Sequence, residues 1–338
     1  MRDAAVGTAG IAVGLSSTKC VGAESSGKDE KKILNYNSEM EYRRLGKTEL
    51  MVSAVCLGGH WKRVNVMDHD FDRNRHDVLS RCMERGMNYV DACTRGEVIA
   101  YSKALAGRRD KMYLGMSNFG SEPRDPKYRT TKKLLKALDD VLSASKQEYA
   151  DIWRITCSER GSIHSFADCC EIVAALEKAK KQGKARFVGV SSHDRKWLKF
   201  MVEYFKQIEV VLFPYTANTK VLPKDSIFGA LKKHDVGAFG IKPFSSNSIF
   251  YGSSSPKNPH AEKDDRTARL AIRYILCNPH IIPIPGLISP HQVDNVAKAV
   301  KERRELDMAE AKELQARMDQ AWANLPNNYQ WLKNWEYV

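Results

Sequence analysis

The chain has 338 residues, 43% of them hydrophobic, enough for one large α/β barrel of roughly 250 residues or for two average domains. Its net charge of +13 comes from lysines and arginines spread through helical stretches such as residues 131–136 and 178–184, the pattern of solvated helix faces, and no groove-reading motif points to nucleic acid. The eight cysteines form no CxxC pair and no spaced Cys/His set, so neither a disulfide framework nor a metal site is implied.

In chain order, residues 4–17 are a small-residue apolar stretch with Arg2 before it and Val21-Gly22-Ala23 after it, which resembles an export leader. Its alanine and glycine content is similar to leaders of the twin-arginine route. The arginine pair is absent, so this reading takes the start as truncated and puts the chain in the periplasm; the alternative is a disordered tail on a cytoplasmic chain. Lys19 before Cys20 departs from a lipid-attachment box. The division that follows is a leader over 1–23, a polar linker over 24–39, a barrel over 40–320 and an aromatic tail over 321–338.

From Met40 onward, short β-branched runs alternate with amphipathic segments, the pattern of repeated βα units that build a parallel sheet. Strands are predicted over 55–59, 89–93, 112–116, 150–155, 186–191, 210–213, 236–241 and 281–284, the eight that a closed barrel needs. Helical patterns lie between them. Ile172, Ala175, Leu176 and Ala179 recur at helical spacing, Gly183 then supplies a left-handed cap, and Ser289-Pro290 caps the helix after the last strand. No apolar run approaches the roughly 20 residues of a membrane span. Trp322, Tyr329, Trp331, Trp335 and Tyr337 crowd the tail, offering flat apolar faces with polar edges that suit a sugar ring or, equally, packing on the barrel's flank.

Four stretches stand out in order: Tyr42-Arg43-Arg44-Leu45-Gly46 with Leu57-Gly58-Gly59; Asn88-Tyr89-Val90-Asp91-Ala92-Cys93 with Lys103-Ala104-Leu105; Gly183-Lys184-Ala185-Arg186-Phe187-Val188-Gly189-Val190-Ser191-Ser192; and Ala271-Ile272-Arg273-Tyr274 with Ile284-Pro285-Gly286 and Asn295. Together they resemble the aldo/keto reductase family. The resemblance implies a (β/α)8 TIM barrel with an N-terminal β-hairpin and a C-terminal extension. It also implies a nicotinamide cofactor, NAD or NADP, no metal, and a small-molecule substrate such as a carbonyl compound or sugar.

Catalytic groups in such barrels sit at the C-terminal ends of strands, which assigns the mouth to His60, Asp91, Cys93, Asn118, Thr156, Cys157, Ser191, Ser192, His193, Tyr215 and Lys242. By resemblance, Asp91 is the family aspartate. Gly96 stands near the position of the proton-donating tyrosine, Asn118 at that of the lysine and Thr156 at that of the histidine. Asparagine and threonine hydrogen-bond a carbonyl but do not supply a proton at neutral pH as a tyrosine-lysine pair does.

The implied cofactor cradle is fuller. Ser191-Ser192 stands where the carboxamide is held, Tyr215 where an aromatic stacks on the nicotinamide, and Lys242-Pro243 under the pyrophosphate, with Gly286, His291 and Asn295 at the nucleotide turn. Leu212 replaces an expected glutamine. Nothing after Gly286 selects a 2′-phosphate. Two other site chemistries are open: a Cys/His metal or thiolate site from Cys93, Cys157, His60 and His193, and an acid/base and anion-binding set of Arg95, Glu97 and Arg154 with Asp91. Function divides among a divergent nicotinamide-dependent oxidoreductase, which is preferred, a non-redox lyase or isomerase acting on sugars, and a catalytically inactive binding protein.

Overall fold

The computed structural model describes residues 33–59, 70–157, 163–252 and 258–338. The proposed leader, Cys20 and His60 lie outside the described residues.

Strands β1 (Tyr42–Arg44) and β2 (Met51–Ser53) form the antiparallel hairpin expected at the start. It seals the barrel floor: Leu45, Leu50 and Val52 join Tyr89, Tyr113, Ile152, Val210, Leu212, Phe239, Ile282 and Ile284 in one buried apolar layer inside the sheet. Arg43 fixes the hairpin to the wall. Its guanidinium donates to the backbone oxygens of Leu276, at a helix C-terminus, and of Asn278 and Ile281 in the connection that follows, at 2.7–2.9 Å.

Seven strands then pair in parallel and in chain order: β3 (Tyr89–Ala92), β4 (Tyr113–Met116), β5 (Ala150–Thr156), β6 (Ala185–Ser191), β7 (Val210–Pro214), β8 (Gly237–Ile241) and β9 (Ile282–Pro283). The expected first strand is shorter than predicted, yet it closes the barrel. Leu57 bonds to Tyr89 and Asp91 on one side, while Cys56 and Gly58 bond to Pro283 and Pro285 on the other, all at 2.7–3.1 Å. Both faces of the sheet are covered, as parallel sheets require.

Helices α1 (Phe71–Glu84), α2 (Arg95–Ala104), α3 (Thr131–Ser145), α4 (Phe166–Lys181), α5 (Arg195–Tyr204), α6 (Ile227–His234), α7 (Ala261–Leu276) and α8 (Pro290–Lys301) ring the sheet. Their start signals are local. Thr94 with Glu97 and Ser165 with Asp168 form reciprocal capping boxes at α2 and α4, and Ser289 accepts from the Gln292 amide with Pro290 in the first turn of α8. Gly183 follows α4 at φ +72°, the left-handed conformation its position predicts.

Helix α9 (Met308–Ala323) leads to the aromatic tail. The tail lies over the strand ends: Lys220 and Leu222, just past β7, exchange backbone hydrogen bonds with Glu336 and Val338. Trp335 is fully buried, its ring stacked 5.4 Å from that of Phe213 and its Nε1 donating to the His193 carbonyl at 2.9 Å.

Candidate functional site

Alternation along the strands decides which side chains face the barrel interior. On β3 these are Tyr89 and Asp91, on β5 Ile152, Arg154 and Thr156. Asp91 and Arg154 meet in a buried two-pronged ion pair, with Arg154 Nε 3.0 Å from Asp91 Oδ1 and Nη2 2.5 Å from Oδ2. Tyr89 donates its hydroxyl to Oδ1 at 3.1 Å. Asp91 is opposite Gly115 of the intervening strand β4. A Cβ on Gly115 would lie 1.9 Å from the Tyr89 hydroxyl and 3.1 Å from Asp91 Oδ1. The missing side chain lets Arg154 reach across β4 to the carboxylate.

Burial alone would lower the Arg154 proton affinity, but the Asp91 charge and its hydrogen bonds hold it above the ordinary arginine value. Burial and the adjacent Asp91 push the Tyr89 phenol well above its usual range, so it stays a donor.

Nearer the mouth the network continues through hydroxyls. Arg154 Nη1 donates to Thr156 Oγ1 at 3.0 Å, Thr156 Oγ1 lies 2.6 Å from Ser117 Oγ, and Ser117 donates to Glu122 Oε2 at 2.8 Å. Glu122 closes the 3₁₀ turn Phe119–Ser121 after β4, and its side chain folds inward to accept from the amides of Thr156 at 2.7 Å and Asn118 at 2.8 Å. Burial pushes its carboxyl up, against the pull of those hydrogen bonds and of Arg154.

The expected site residues separate. Asp91 and Thr156 share the interior network. The residue that turns inward past β4 is Ser117, whereas Asn118 begins the following turn and offers its backbone amide to Glu122. Gly96 is exposed in the first turn of α2, so helix occupies the place where the family resemblance puts a tyrosine-bearing loop. Arg95 is exposed beside it, and Glu97 is buried, accepting from the amides of Cys93 and Thr94 as a helix cap. Tyr101 packs inside, donating to the Gly58 carbonyl at 2.6 Å.

Cys157 belongs to the helix-side core, and burial raises both its thiol and that of Cys93, the reverse of what an activated thiolate needs. Among the described residues, no group of three or more His, Cys, Asp or Glu side chains could hold a metal ion.

Ser191 and Ser192 are buried at the end of β6, and Ser192 Oγ accepts from the Asp194 amide at 3.1 Å. Tyr215 faces away from the mouth. It shares the outer layer with Val211 and Phe213, packs edge-on against Phe228 and accepts from Asn278 Nδ2 at 3.3 Å.

After β8, Lys242, Ser245, Ser246 and Asn247 all adopt left-handed φ of 50–71°, uncommon for residues with a Cβ and a mark of a functional or strained loop. In the same loop Ser245 Oγ is buried with no hydrogen-bond partner among the described residues, as is Asn218 Oδ1 in the loop after β7. Lys242 Nζ lies 5.4 Å over the Tyr329 ring, and Trp331 stacks on His193 with centroids 3.8 Å apart, so the tail lines this side of the mouth.

At the last turn, Gly286 is exposed, and Asn295 is held by the Asp265 carbonyl and by Arg269 at 3.0 and 2.7 Å. His291 Nε2 lies 2.6 Å from an Asp265 carboxylate oxygen.

Arg154 carried a readable signal: a charge at an inward-facing position of a buried strand. Glu122 and Ser117 carried none, because a loop carboxylate declares its burial only once the loop is folded.

Comparison with known proteins bears on the family and the fold. The sequence model of the Aldo/keto reductase family matches residues 57–268. Among curated proteins, the chain is 23% identical over 296 residues to L-galactose dehydrogenase of Arabidopsis thaliana, covering 80% of this chain and 91% of that one. It is 24% identical over 224 residues to L-glyceraldehyde 3-phosphate reductase of Escherichia coli (strain K12), covering 61% and 62%. Among solved structures, an aldo-keto reductase from Bacillus halodurans in its holo form aligns with TM-score 0.61 at 21% identity over 86% of this chain and 99% of that chain. One from Klebsiella pneumoniae in complex with NADPH aligns with TM-score 0.63 at 18% identity over 82% and 94%.

Proposed function

The chain belongs to the aldo/keto reductase family, and on that premise we propose that it is a nicotinamide-dependent oxidoreductase interconverting a sugar-like alcohol and its carbonyl form, with proton-transfer machinery unlike the family's tyrosine, lysine and histidine. The observation that carries this is the buried Asp91–Arg154 pair. A buried ion pair is a poor stabiliser, because apolar residues of similar volume usually serve as well or better. A barrel kept only as a scaffold has no use for one at its catalytic end. Here the family aspartate is retained and Arg154 supplies, from β5, a permanent positive charge beside it.

The loop residues suit a dinucleotide. Ser245 Oγ and Asn218 Oδ1, buried and without hydrogen-bond partners among the described residues, are groups that a polar ligand would satisfy. Lys242 and the left-handed stretch 245–247 would hold the pyrophosphate, and Ser191 and Ser192 the carboxamide. When bound, the nicotinamide accepts or donates the hydride. At the nucleotide turn His291 already faces the Asp265 carboxylate, and Arg269 is engaged by Glu302 and Asn295. A 2′-phosphate would meet balanced charges there, so NAD is expected to bind at least as tightly as NADP. The sugar-related names of the curated relatives support a carbohydrate substrate.

The test is turnover. Whole protein with NAD or NADP and a panel of aldoses that includes L-galactose is expected to produce reduced nicotinamide, followed by its absorbance. Absence of turnover across the panel from acid to alkaline pH would count against the reading.

A further inference from the structure

Resting on the oxidoreductase reading above, we propose that Glu122 is the terminal proton acceptor of the site, reached from the substrate hydroxyl through Thr156 and Ser117. The three side chains come from two adjacent strand ends. Thr156 is the last residue of β5 and shares the inward face with Arg154, Ser117 follows β4, and Glu122 closes the turn after it.

The hydrogen-bond directions are fixed by exclusion. Ser117 has one hydroxyl proton and gives it to Glu122 Oε2, so it receives from Thr156 across 2.6 Å. Thr156 in turn accepts from Arg154 Nη1, a group that has no lone pair to offer back. The chain is therefore polarised from Arg154 through both hydroxyls to the carboxylate. A bond donated by a permanent cation stabilises the deprotonated form of the Thr156 hydroxyl, which makes Thr156 the readier donor of its own proton to Ser117 as the substrate proton arrives.

In the oxidation direction the substrate carbon loses a hydride, with its two electrons, to the oxidised nicotinamide. The substrate hydroxyl proton passes to Thr156 Oγ1, the Thr156 proton to Ser117 Oγ, and the Ser117 proton to Glu122 Oε2. The products are a carbonyl, a reduced nicotinamide and a neutral Glu122, and both hydroxyls end as they began. Reduction runs the same steps backwards, with Glu122 as the acid. The charged or titratable groups facing Glu122 are Arg154, from inside the barrel, and the Cys157 thiol beside Thr156. Neither is a proton acceptor at neutral pH, and Asp91, the other carboxylate of the network, has both oxygens engaged by the Arg154 guanidinium, so the hydroxyl chain leads to Glu122 as the group that takes the proton.

The experiment compares Glu122→Gln, Thr156→Val and Thr156→Ser in the full chain, following NAD reduction with L-galactose and the other aldoses of the panel. Glu122→Gln and Thr156→Val are each expected to lower kcat by about 10²- to 10⁴-fold and to abolish the rise of kcat with pH that marks Glu122 ionisation, while Thr156→Ser keeps kcat within a few-fold. Wild-type kcat and pH profile in either of the first two overturns the proposal. A second readout needs no turnover and separates this proposal from the reading beneath it. Infrared difference spectra of the ligand-free protein are expected to show a carboxylic acid band titrating above the ordinary carboxylate range, absent in Glu122→Gln and displaced to higher pH in Ser117→Ala. A Glu122 already ionised near about pH 4 overturns the relay even if the enzyme turns over. A titrating band in a protein without turnover retains Glu122 as the proton-holding group and removes the oxidoreductase reading instead.

Discussion

Replacing Arg154 with leucine is expected to destabilise the folded chain by about 3–5 kcal/mol, read as a shift in urea unfolding. The cost comes from what is left behind. Asp91 lies 5% exposed, and without the guanidinium its remaining side-chain partner among the described residues is the Tyr89 hydroxyl. A carboxylate in that position either stays charged without compensation or takes up a proton, and both are unfavourable near neutral pH. The double variant Asp91→Asn with Arg154→Leu is expected to recover most of the loss, because it removes the stranded charge along with its partner. Equal stability of Arg154→Leu and the native chain would mean that the pair is solvated and does not form the electrostatic centre of the mouth.

The second large effect is expected at the tail. Trp335→Ala should cost about 3–5 kcal/mol, the range for deleting a buried large aromatic. It removes the stack on Phe213, the hydrogen bond to His193 and the anchor for the backbone pairing of Glu336 and Val338 with Lys220 and Leu222. Since Trp331 and Tyr329 rest on His193 and Lys242, loosening the anchor should also free the loops after β6 and β8. The expected signature is a lowered unfolding midpoint together with rapid proteolysis after residue 323 under native conditions. A tail that resists protease in Trp335→Ala would show that its other contacts hold it without this side chain.

The barrel was legible because its signals are local. Alternation and β-branched runs mark strands, and Gly183, Thr94, Ser165 and Ser289 end or start helices through chemistry contained within a few residues. The site was legible only in part, because its decisive contacts cross the sheet. Strands β3 and β5 are separated by β4, and the meeting of Asp91 with Arg154 depends on Gly115 leaving a gap between them. Charge on the inner face of β5 hinted at Arg154, but no spacing rule names its partner. Tyr215 shows an error of a different kind. The resemblance put it at the mouth, yet residues two apart on a strand share a face, and Val211 and Phe213 already belong to the helix-side core. Period-two reasoning alone would have turned it outward. Ser117 and Asn118 differ in the same way: one faces inward, the other starts a turn.

The central claim is that a nicotinamide dinucleotide binds across the loops after β6, β7 and β8 of this barrel, and tryptophan fluorescence titration with NADH and NADPH tests it most directly. Trp331 and Trp335 lie beside that region, so quenching that saturates in the micromolar range, with NADH at least as tight as NADPH, is the predicted result. No saturable change with either nucleotide at millimolar concentration would contradict it.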